Sequence, residues 1–153
     1  MSDDHQRIFD RLGEIAAIAG FNLHTVEEGH PLAGLPAAGF DLGGGRSQRV
    51  FIRPAGATPD GHDVVTFVSP CLLVKTGFLA GLSKDQAVDL LLRNENLYFA
   101  RFGVWRMAKA DMIVVSCDQI LDTMEPQEFS SLVQSVAVAA DAYEQEHGKE
   151  DVF

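Results

Sequence analysis

The side chains in this chain best suited to chemistry are Cys71 and the histidines His24, His30 and His62. Cys71 could act as a nucleophile with His62 as its base, since neighbouring strands can bring such groups together. His62 and Asp63, with Asp60 close by, could seed a metal site alongside His24 or His30. The residue patterns argue against both. Cys71 lies in Pro70-Cys71-Leu72-Leu73-Val74, and an apolar setting raises a thiol's pKa and suppresses the thiolate. No pair of ligand residues has the i,i+4 helical spacing or the Cys/His clustering that metal coordination usually shows. Gly43-Gly44-Gly45-Arg46-Ser47 lacks the lysine and spacing of a P-loop and has no convincing strand before it. It reads as a flexible loop. Arg49 and Arg53 share one face of a strand and could grip an acidic partner, although charges that protect a sheet edge are the commoner use. No catalytic residue, metal or cofactor is therefore expected. A small enzyme using Cys71, or a His24, His30 and His62 site, is the alternative.

Composition narrows the classes of partner. Twelve Lys and Arg against twenty-two Asp and Glu leave a net charge of −10 over 153 residues, which repels phosphate backbones and anionic lipid surfaces. Neither nucleic acid nor membrane is an expected partner. The amino terminus, Met1 to Arg7, lacks the apolar core of a secretion signal, and no apolar run reaches the length of a membrane span. Cys71 and Cys117 stand alone in apolar contexts, as reduced thiols filling core space do. The expectation is a cytoplasmic protein of one domain, residues 1–153, with a hydrophobic fraction of 46% that is ample for a core.

The elements that must position these residues follow from hydrophobic period. Ile8, Leu12, Ile15 and Ala19 recur at helical spacing, with Ser2 placed to cap and Gly20 to stop the helix. Phe21 to Val26 alternates as a half-buried strand. The stretch 29–46, with glycines at 29, 34, 39 and 43 to 45 and prolines at 31 and 36, reads as a long Gly/Pro-rich loop. Strands are expected over Arg49 to Arg53 and Val64 to Val74. Ser83-Lys84-Asp85-Gln86 is a capping box that opens a helix burying Val88, Leu91 and Leu92. Strands from Leu97 to Met107 and Met112 to Leu121, joined by a turn at Ala108-Lys109-Ala110-Asp111, form a hairpin. A last helix begins near Pro126, with Met124 and Phe129 placed as a hydrophobic staple.

Two surfaces in this second half suggest contact with another polypeptide. Leu97 to Met107 carries apolar side chains on both alternating faces, so it must be covered twice. Phe99, Trp105 and Met107 could be a binding stripe on it, although large aromatics are more commonly core. The last helix directs Phe129, Leu132, Val133, Val136, Ala137, Ala140 and Tyr143 inward. Its other side carries Ser131, Gln134, Ser135, Val138 and Ala142 with no charge. A solvated helix face normally bears charge, so this one is a candidate second packing surface.

The order α-β-β-β-α-β-β-α predicts an α+β fold with a five-stranded, mainly antiparallel sheet packed against helices. Within it, Leu91-Leu92-Arg93-Asn94-Glu95-Asn96-Leu97-Tyr98-Phe99-Ala100-Arg101-Phe102, a hairpin, and Met124-Glu125-Pro126-Gln127-Glu128-Phe129 opening a helix resemble the carboxy-terminal half of YbjN-like proteins. That family shares its fold with the class I type III secretion chaperones. The resemblance spans residues 83 to 143; before it only the element order agrees. It implies a small acidic cytosolic homodimer that binds a partner or effector polypeptide and performs no catalysis. A structural or regulatory homodimer with no further ligand is the remaining reading. On either dimer reading Phe99, Trp105, Met107, Ser131, Gln134, Ser135 and Val138 are the expected contact residues.

Overall fold

Among the described residues, alternating and continuous apolar runs in the middle of the chain pair into one antiparallel sheet of six strands, with three α-helices. The computed structural model describes residues 3–75, 81–107 and 110–148. In chain order the elements are α1 (Asp3–Ile18), β1 (Leu23–Thr25), β2 (Pro36–Gly43), β3 (Arg46–Ala57), β4 (Asp63–Lys75), α2 (Lys84–Arg93), β5 (Arg101–Arg106), β6 (Ala110–Ile120) and α3 (Pro126–His147). The strand order is β1-β2-β3-β4-β6-β5. Ser2, expected to cap α1, and Ala108 and Lys109 of the expected β5–β6 turn lie outside the described residues. No helix among the described residues is long and apolar enough to cross a membrane.

The sheet has a sixth strand where a loop was expected. β2 occupies Pro36–Gly43 and pairs with β1 and β3. Gly43, Gly44 and Gly45, all at positive φ, make the tight turn into β3, a conformation that glycine adopts without steric cost. The Gly43 N–H donates to Asp41 Oδ1 at 2.8 Å. Residues 26 to 35 remain a true loop, closed by Val26 N–H to the Leu35 carbonyl and Gly34 N–H to the Val26 carbonyl. β3 consequently runs inside the sheet between β2 and β4. Arg49 and Arg53 are therefore not guards of an edge.

Alternation along the strands gives the sheet two apolar faces. On the helical side Val50, Ile52, Val65, Phe67, Ile113 and Val115 meet Ile8, Leu12 and Ile15 of α1 and Phe129, Val133, Val136 and Tyr143 of α3. The expected inward stripe of α3 is buried throughout. Its start is fixed by Pro126 and by reciprocal capping between Glu125 and Glu128, and Met124 buries in the same cluster as Phe129. Gly20 ends α1 in the left-handed conformation, with Phe21 N–H reaching the Ala16 carbonyl and Gly20 N–H that of Ala17.

The other face is a smaller core. Phe51, Val68, Met112 and Val114 are covered by Leu32, Leu35 and Val26 of the 26–35 loop and flanked by Trp105 and Met107. His30 stacks on Phe51 with ring centres 5.1 Å apart. Arg53 on β3 lies over the Trp105 ring of β5 at 4.7 Å, although β4 and β6 separate their strands. The two long side chains span the intervening strands across this face. One chain thus covers much of both faces from its own residues.

Phe129 sits where these elements meet, with Phe21 at 5.7 Å and Phe67 at 5.3 Å between ring centres. Phe129→Ala is expected to lower unfolding free energy by about 3 to 5 kcal/mol in urea titrations. A loss below about 1 kcal/mol would mean that the ring is not in a packed core.

Candidate functional site

The capping box at Ser83 forms as expected: Gln86 N–H donates to Ser83 Oγ at 3.1 Å and Ser83 N–H to Gln86 Oε1 at 2.9 Å. The helix that it starts is rotated opposite to expectation. α2 turns Leu90 inward, whereas Leu91 is 68% and Leu92 57% exposed, and Val88 is exposed as well. At 100° per residue these three lie within an arc of about 100° on the side away from Leu90. The inward face is secured by polar contacts. Arg93 places its guanidinium over the Tyr143 ring at 5.3 Å and donates to Asp89 at 2.7 Å and Glu146 at 2.6 Å. The hydrogen bond from Arg93 lowers the Glu146 pKa, and both carboxylates raise that of Arg93. Asn94 clamps Phe102 of β5, accepting its N–H at 2.7 Å. With its inner side committed to Leu90, Arg93 and Asn94, α2 presents its apolar stripe outward.

The chain after α2 adds two further exposed apolar side chains, Tyr98 and Phe99. Leu97 to Ala100 does not extend the strand as expected; β5 starts at Arg101. Instead Ala100 N–H donates to the Tyr98 carbonyl at 2.7 Å around Phe99, whose φ is +66°. This is a γ-turn of the strained hand, a conformation costing about 1 to 3 kcal/mol in a bulky residue. It holds Tyr98 84% and Phe99 69% exposed. Phe99 also walls a cleft of about 320 Å³ completed by Leu132, Gln119, Ser131, Gln127, Glu125 and Glu128. Two carboxylates thus rim a pocket with apolar walls.

The expected contact residues divide into three groups. Phe99 stands on the strained turn, apart from Trp105 and Met107, which flank the core on the helix-free face. They do not form one stripe. Ser131, Gln134, Ser135 and Val138 line the outer side of α3 as expected, with Ser131, Gln134 and Val138 exposed. Hydroxyls there turn back on the helix, Ser131 Oγ donating to the Gln127 carbonyl and Ser135 Oγ to that of Ser131. Val88, Leu91, Leu92 and Tyr98 are the residues that sequence reasoning assigned elsewhere. Their only signal was the Leu90-Leu91-Leu92 run, which puts leucines on two sides of one short helix.

No protein-family model matches this chain, and no curated protein does.

The residues of the enzyme alternative are dispersed. Cys71 is buried, its Sγ 3.8 Å from the Ser69 carbonyl, and burial, with Glu144 nearby, pushes its thiol pKa far up. Burial likewise raises Cys117 to about 12. Both thiols are free. His24 and His30 line one recess on the helix-free side, while His62 sits on the β3–β4 turn against Asp122 at 2.9 Å and Asp60 at 3.5 Å. Among the described residues no three of His, Cys, Asp and Glu converge as a metal would require.

The hydrogen bond to Asp122, aided by the Asp60 charge, raises the His62 pKa above its ordinary value. A raised folded-state pKa means that protonation favours the folded chain, so this contribution is fully present below about pH 6.5 and is lost as pH rises through the folded value. Asp122→Asn is expected to lower the His62 midpoint in an NMR titration and to flatten stability across that window. An unchanged midpoint would show that Asp122 is not the cause.

Proposed function

We propose that this chain is a non-catalytic, homodimeric, chaperone-like module that binds partner polypeptide, YbjN-like in kind. The observation that carries the reading is the outward apolar stripe of α2, with Tyr98 and Phe99 exposed after it in the chain. Exposed apolar side chains grouped on one side of a short helix mark a contact site, and strain retained at an exposed aromatic points the same way. The element order supports the kinship, since it matches the order expected of a secretion chaperone-like fold with β2 added.

A second copy of the chain is the occupant that suits the α2 stripe. Two-fold pairing sets the same patch against itself, so one run of leucines supplies both halves of an apolar interface. The cleft beside Phe99 and the uncharged outer side of α3 are then available to a partner. An extended segment could place one apolar side chain against Phe99 and Leu132 and a basic one near Glu125 and Glu128, with β5 as an open edge for strand addition.

Light scattering at micromolar concentration is expected to give twice the chain mass, with an interface burying about 1,200 Å² or more in total. Leu91→Glu should release folded monomers, because a buried carboxylate would lose hydration and gain no partner. Unmodified protein at one chain mass would overturn the dimer. A Leu91→Glu protein that stayed dimeric would place the interface elsewhere.

A further inference from the structure

The recess holding His24 and His30 lies on the opposite side of the sheet from α2. Its volume is about 510 Å³, within the usual range of small-molecule sites, about 300 to 1,000 Å³. β2 contributes Ala37 and Gly39 to it, and β3 contributes Arg49, the cross-strand partner of Gly39. A Cβ built on Gly39 meets no atom within 4 Å, so the missing side chain leaves open space in the recess that Arg49 also lines. Glu27 and Glu28 also line the recess, and Val26 and Ala37 provide apolar wall.

Arg49 is unusual among the arginines of this acidic chain. Arg7, Arg11, Arg46, Arg93 and Arg106 sit against carboxylates, Arg53 lies over Trp105, and Arg101 donates to the Leu97 and Ala100 carbonyls. The Arg49 guanidinium has no such partner among the described residues. Beside it, His30 Nδ1 accepts the Leu32 N–H at 3.0 Å, which leaves the proton of the neutral ring on Nε2 as a donor. Burial, then the Arg49 charge, lowers the His30 pKa and favours that neutral form.

We infer that this recess binds a small zwitterion of the amino-acid class, its carboxylate on Arg49 and its ammonium toward Glu27 and Glu28. A bare anion would meet the two carboxylates, and a bare cation would meet Arg49. A molecule carrying both charges satisfies each, and an apolar side chain fits against Val26 and Ala37. The site is independent of the α2 surface.

Calorimetry with three matched probes tests this, with His24 and His30 ring resonances as a second readout. L-leucine carries both charges, 4-methylpentanoate lacks the ammonium, and 3-methylbutan-1-amine lacks the carboxylate. Saturable binding of L-leucine is expected, with both analogues weaker by about tenfold or more. Arg49→Gln and, independently, Gly39→Val, which fills the recess, should each abolish it, whereas Arg53→Gln should not. Equal binding of the pentanoate would make this a plain anion site and overturn the inference. So would no saturation by about 10 mM L-leucine, or undiminished binding in both recess variants.

Discussion

The packing of α3 across the middle of the sheet is the contact on which the rest of this structure depends. Its inward stripe from Phe129 to Tyr143 covers β3, β4 and β6, and α1 rests against it. Because α3 and α1 occupy that face, α2 is left at the margin, beside β5 and the carboxy-terminal turn of α3. There it finds little apolar surface, and the Arg93 ion pairs with Leu90 hold it in place. The exposed leucines follow from that crowding. A helix with one inward leucine and a polar clamp has its apolar stripe left over for another molecule.

The second face of the sheet obeys the same need with different material. None of the described helices lies there, so the 26–35 loop and the contact of Arg53 with Trp105 close a smaller core. Coverage of this kind is incomplete at the β1–β2 margin, where Ala37 and Gly39 contribute little volume. The recess around Arg49 is what remains. The chain therefore has two unfilled surfaces of unlike character, one apolar and beside α3, the other polar and beneath a loop.

Much of this architecture was legible from hydrophobic period. α1, the capping box, β4, β6 and the buried stripe of α3 all follow from local patterns that agree with tertiary context. β2 did not, because Pro36, Gly39, Asp41 and Gly43 are poor strand formers and pairing on both edges overrides them. The alternation of Ala38, Phe40 and Leu42 ahead of three glycines was the available signal. The start of β5 was overextended because Leu97 to Ala100 is apolar, and only the Asn94 clamp on Phe102 fixes where the strand begins. The orientation of α2 was illegible for a deeper reason. Periodicity locates an apolar stripe but does not say whether its own chain or another covers it.

An isotope-filtered NOE experiment on a mixture of ¹³C-methyl-labelled and unlabelled chains tests most directly whether a second chain covers the α2 stripe. Pairing through α2 predicts intermolecular NOEs at the Leu91 and Leu92 methyls and none at Leu90. Intermolecular NOEs absent from Leu91 and Leu92, or confined to the Val138 side of α3, would contradict it.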